Sequence, residues 1–156
     1  MMKLQIQQLE EKIGNTLPSS YKNILESFEN ILLIELANEE EVDFHSVQNL
    51  LQPYDKLHKS YQMLTILMED YFARKNTTQL YCRDTENEID GNTLTENLYF
   101  GQMGDDSALF FNLKDMSIWE FWQDDSSVGK IANTFEEFIS DFTIIKKDDW
   151  DKFLNE

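Results

Sequence analysis

Three aromatic-rich runs follow one another in the second half of the chain, at 97–103, 107–113 and 117–123. Only Gly104-Asp105-Asp106 and Lys114-Asp115-Met116 separate them. Short runs rich in Phe, Tyr and Trp suit the pleated surface of strands. Three-residue links carrying Gly and Asp suit tight turns. The pattern predicts an antiparallel meander. Trp119, Phe121 and Trp122 fall on positions that point to both faces, so packing is expected on both sides of it.

Ahead of the meander the period becomes helical. Ile6, Leu9 and Ile13 mark one face of a helix over 1–14, and Gly14 can take the left-handed conformation that stops it. Leu17-Pro18 opens a second helix, with Tyr21, Ile24, Leu25 and Phe28 on its apolar side. The apolar run 31–37 fits a buried strand or a continuation of that helix, and periodicity does not separate the two. Residues 38–41 form an acidic break. A short helix is expected over 42–51, closed by Pro53. A longer one is expected over 54–74, with Leu57, Tyr61, Leu64, Leu67, Met68 and Tyr71 inward and Asn76-Thr77-Thr78 as its breaker.

Further on, 80–82 reads as a short strand, 83–92 as an exposed loop and 124–129 as a polar loop. A helix is expected over 133–142, carrying Phe135, Phe138, Ile139 and Phe142. Asn133 or Thr134 would cap it; with Asn133 as the cap, Glu136 takes the third position of a capping box. A final short helix over 146–156 would use Trp150, Phe153 and Leu154. The chain has no repeat or linker, and 156 residues fit one domain spanning 1–156. The expected class is α+β, with N-terminal helices and a C-terminal helix packed on a mostly antiparallel sheet.

Charge narrows the function. Thirty acidic against 13 basic residues give a net charge of −17, which repels nucleic acids and anionic membranes and favours a cationic protein partner. The surplus is concentrated: residues 84–125 hold 11 acids and one base, Lys114. Cys82 is the sole cysteine, the N-terminus lacks the apolar stretch of a signal peptide, and no run of about 18 apolar residues occurs. The expected location is the cytoplasm.

No motif for catalysis or cofactor binding emerges. His45, His58 and Cys82 lie 13 and 24 residues apart, without metal-ligand spacing. They read as two surface histidines and one packed thiol. The acidic doublets lack the alternation of a calcium loop, and no glycine-rich phosphate cradle is present. Neither enzyme activity, cofactor nor metal is expected. A carboxylate-based hydrolase is the remote alternative, which would need two acids opposed across a cleft.

The order of motifs resembles the SUKH superfamily, the Smi/Knr-like proteins. The carrying residues are Glu10, Leu17, Pro18, Tyr21 and Leu25 at the start. Tyr99-Phe100-Gly101, Gly104-Asp105-Asp106 and the Asn133-Thr134-Phe135-Glu136-Glu137-Phe138 helix start come later. One departure is Glu29-Asn30-Ile31, where that family usually carries Asn-Gly-Gly. The resemblance implies helices packed on a mixed or antiparallel sheet, and a non-enzymatic protein. Many bacterial members are immunity proteins that neutralise a toxin domain, often a nuclease. Others are intracellular interaction or regulatory modules, and that alternative stays open. Combined with the charge, this points to a basic cognate toxin as partner. Glu96, Asp105, Asp106, Glu120, Asp124 and Asp125 are the candidate contacts, and Tyr99 or Trp122 would serve as an anchor if exposed. The sequence leaves the oligomeric state open.

Overall fold

The computed structural model describes residues 2–53, 60–104 and 107–148. The chain opens with α1 (Met2–Ile13) and α2 (Ser19–Glu26). Gly14, at φ 69°, donates its N–H to the Glu10 carbonyl and ends α1. The Glu10 side chain then accepts from the Leu17 N–H at 2.7 Å and pairs with Lys22 at 3.4 Å, fixing the angle between the two helices.

β1 (Leu32–Glu35) and β2 (Glu41–Phe44) form a hairpin, followed by α3 (Val47–Leu51) and α4 (Met63–Lys75). The ambiguous run 31–37 is thus a strand. The short helix expected over 42–51 is corrected. Val42 and Phe44 are buried while Glu41 and Asp43 are exposed, which is the two-residue period of a strand. The helix starts only after Ser46, whose hydroxyl accepts from Asn49 N–H. α4 begins at Met63 and ends at Asn76, left-handed at φ 53°. The first part of its predicted span, 54–59, lies outside the described residues.

β3 (Gln79–Cys82) and β4 (Asn87–Asp90) pair as a second hairpin across the stretch expected to be a loop, turning on Glu86 at φ 55°. The meander follows as β5 (Asn97–Met103), β6 (Ser107–Asn112) and β7 (Ser117–Trp122). It continues into β8 (Ser127–Ala132), which takes half of the predicted 124–129 loop. Asp115-Met116-Ser117 and Asp125-Ser126-Ser127 use one device. Each aspartate accepts from both the N–H and the hydroxyl of the serine two residues on, around a left-handed middle residue.

The helix expected over 133–142 shortens to α5 (Phe135–Phe138). Its cap is Thr134, whose hydroxyl accepts from Glu137 N–H. β9 (Thr143–Lys147) follows, so Lys146 and Lys147 belong to a strand rather than a final helix. Trp150, Phe153 and Leu154 lie outside the described residues.

Among the described residues the nine strands form one sheet in the order β4-β3-β8-β7-β6-β5-β2-β1-β9. Every pairing is antiparallel except β3 with β8. It therefore extends well beyond the predicted 97–123. One face packs against α1, α2, α3 and α5 around Leu9, Tyr21, Phe44, Phe100, Phe111 and Phe135. Tyr21 meets Phe100, Phe111 and Phe135 at ring centroids of 5.7, 4.9 and 5.2 Å. The other face packs α4 through Leu64, Met68 and Phe72 against Tyr99, Phe110 and Phe121. Phe135 and Phe138 are buried beside the sheet as expected. The result is an α+β arrangement whose helices lie on the sheet.

Candidate binding groove

Strand register brings one end of the sheet together. Met103 closes β5 opposite Val42 and Ser107, and Ser107 opens β6 opposite Trp122. The ends of β2, β5, β6 and β7 therefore meet there, and the β1–β2 turn joins them. A groove of about 650 Å³ opens at this end. Leu33, Met103, Gln102, Ser107 and Trp122 line it together with four carboxylates, Glu40, Glu41, Asp43 and Glu120. By register Met103, Ser107, Glu120 and Trp122 share one face, while Leu33, Asp43 and Gln102 share the other. The groove thus passes over the strand ends. No Lys, Arg or His is among its described lining residues.

Glu120 is the most constrained of the four acids. It is half-buried on β7 and accepts a hydrogen bond from the Ser107 hydroxyl. Burial pushes its carboxyl above the ordinary glutamate range, and the like charge of Glu40 adds to this. The Ser107 hydrogen bond and Arg83 pull the other way without cancelling it.

Trp122 sits half-buried beside these acids. The Arg83 guanidinium lies 3.9 Å from the centroid of its ring. Arg83 in turn donates to Ser127 Oγ at 2.7 Å and pairs with Asp125 at 3.0 Å. The ring also presses on Gly129, where a β-carbon would come within 3.2 Å of it. Trp122 is therefore in contact with Arg83 and packed over Gly129.

The expected contact residues separate. Glu120 lines the groove, and Asp124 is exposed in the β7–β8 turn at the same end of the sheet. Asp125 is in that turn too, but its carboxylate is taken up by Ser127 and Arg83. The Ser127 hydroxyl is the largest cause holding it below the usual aspartate range. Glu96 is exposed next to Asn97, which pairs with Asn112, so it sits at the opposite end of the sheet. Asp105 and Asp106 lie outside the described residues. Tyr99 is buried to 1% exposure and cannot anchor a partner, whereas Trp122 remains partly open. Sequence reasoning missed Glu40, Glu41 and Asp43. The sequence shows only an acidic break at 38–41, and that these acids meet Glu120 depends on strand order.

His45 is also corrected: it is buried, its ring packed edge-on against Tyr99 at 4.4 Å. Cys82 is buried on β3, as expected of a packed thiol, and donates to Asp84. His58 lies outside the described residues. Among the described residues, no three or more His, Cys, Asp or Glu are grouped so that they could hold a metal ion. No described helix is long and apolar enough to cross a membrane.

These features define an α+β module with helices on its sheet and an acidic groove at one end. The model of the SMI1 / KNR4 family (SUKH-1) matches residues 3–141. The chain belongs to that family, whose members are in general non-enzymatic modules of the immunity-like or Smi1/Knr4 type. No curated protein matches the chain significantly. Of the described strands, β9 alone falls beyond the matched stretch.

Proposed function

We propose that this chain is a cytoplasmic immunity-type protein that binds a cognate toxin domain and neutralises it by occupying its surface. The partner is a basic protein, in keeping with a nuclease. The observation that carries this reading is the surplus of acids at one end of the sheet, where Glu40, Glu41, Asp43 and Glu120 line one groove beside Asp124, and the neighbouring Arg83 is engaged by Asp125 and Ser127. Such a surface steers a cationic partner and selects against anionic ones. Family membership supports it.

The test is co-expression with the product of the neighbouring gene, scored by growth. Rescue by the wild-type chain is the expected result. Lysine replacements at Asp105, Asp106 and Asp124 should slow association with that toxin. Stable capture of a non-toxic intracellular client, without rescue, would favour the regulatory-module reading instead. Turnover of a glycoside or phosphoester by purified protein, lost in E120Q, would replace the immunity reading.

A further inference from the structure

We infer that the groove at the end of the sheet is a docking site for an extended, lysine- or arginine-bearing segment of a partner protein, with Trp122 as its apolar wall and Glu120 as its innermost charge. The inference rests on the proposed immunity function and deepens it by naming what the partner inserts.

Three observations select this occupant. The first is charge complementarity: four carboxylates line the groove and none of its described lining residues is cationic. The second is the spread of those acids. They come from the β1–β2 turn, β2 and β7, and no three of them converge as metal ligands would. A divalent ion needs several oxygens around one point; a chain with several basic side chains does not. The third is the apolar share of the lining. Leu33, Met103 and Trp122 line the groove together with the acids. Lys and Arg suit such a surface because their methylene stems lie on apolar groups while the charged head reaches a carboxylate. At about 650 Å³ the groove has room for more than one side chain. Trp122, already held by Arg83 and Gly129, loses little freedom when a partner arrives, which is the property of an interface anchor.

The probe is an octa-arginine peptide, with octa-glutamate as control, measured by calorimetry at physiological salt against the full chain. Two variants carry equal net charge. One is E40Q/E41Q/D43N/E120Q in the groove. The other is E11Q/E26Q/E69Q/E88Q, at exposed positions elsewhere. The groove variant should lose about tenfold or more in affinity, the remote variant about twofold or less. W122A should weaken binding while leaving its salt dependence unchanged. Equal losses in both quadruple variants would show diffuse attraction and overturn the inference. The absence of binding would overturn it as well. Growth rescue by the groove variant, with toxin affinity intact, would remove the groove and leave the immunity function standing. Peptide binding at the groove with no rescue by any form of the chain would remove the immunity function and leave the groove.

Discussion

Arg83 covers Trp122: its guanidinium carbon lies 3.9 Å from the ring centroid while the same group holds Asp125 and Ser127. This links β3 to the end of β7 through a stack and an ion pair, both exposed. Exposed cation–π contacts are worth about 0.5–1 kcal/mol and exposed ion pairs about 0.2–1 kcal/mol. R83A should therefore lower stability by about 1 kcal/mol in urea titration and increase the mobility of Trp122 in fluorescence anisotropy. R83K, which keeps charge but not the flat stack, should fall between. An unchanged anisotropy in R83A would show that Gly129 alone holds the ring.

The Asp148 carboxylate accepts from the backbone N–H groups of Glu29, Asn30 and Ile31, clasping the end of β9 to the loop before β1. Burial raises its pKa, but the three N–H groups, with Lys147, outweigh that and hold it below the usual aspartate range. A lowered folded pKa gives stability that is present above the unfolded value of about 3.9 and lost as pH falls through the folded one. D148N should cost about 1–2 kcal/mol at pH 7, after allowance for solvent. The gap between variant and wild type should narrow as the pH falls through the lowered folded value, where the carboxylate takes up its proton. A gap that persists there would mean that shape, not charge, makes the clasp.

Tyr21 is fully buried among three rings, and its hydroxyl finds no hydrogen-bond partner among the described residues. Burial pushes the phenol far above its ordinary pKa. A buried hydroxyl without a partner is destabilising. Y21F should then raise stability by about 1 kcal/mol, whereas Y21A should cost about 3–5 kcal/mol through the cavity it leaves. Denaturant midpoints decide both, and a Y21F loss would reveal a partner for the hydroxyl.

Gly101 faces the backbone of β2, and a β-carbon there would lie 2.7 Å from the Asp43 carbonyl oxygen. Backbone cannot step aside as a flexible side chain would. G101A should push β2 from β5 and cost about 1–3 kcal/mol. It should also weaken octa-arginine binding, because Asp43 and Gln102 line the groove and are paired across these strands. A thermal midpoint equal to wild type would show that the two strands separate freely.

The meander was legible because its aromatic runs and Gly104 are strong local signals, and packing on both of its faces was legible from Trp119, Phe121 and Trp122. The β3–β4 hairpin was not, because its turn uses Glu86 at φ 55° where glycine or asparagine would have announced it. Ser126 hid the start of β8 in the same way. β2 was mistaken for helix because Val42, Phe44, Val47, Leu50 and Leu51 follow one another with no Gly or Pro between the four-residue strand and the helix after it. Of the site, Glu120 and Trp122 could be named from the sequence. Their union with Glu40 and Asp43 could not, since it depends on strand order across the sheet, which no local pattern encodes.

The pairing of β1 with β9 sets an order of events at the ribosome. The two strands lie more than a hundred residues apart in the chain, yet they are hydrogen-bonded neighbours from Leu32 with Lys147 to Glu35 with Thr143. When β1 and β2 emerge, the outer side of β1 has no strand to meet, and it stays open while the whole meander is made. Such late, distant closure slows folding and leaves an edge that other chains can join in the interval. A nascent chain released before residue 143 would carry that edge permanently, so truncated products should be found in aggregates and full-length chains in solution.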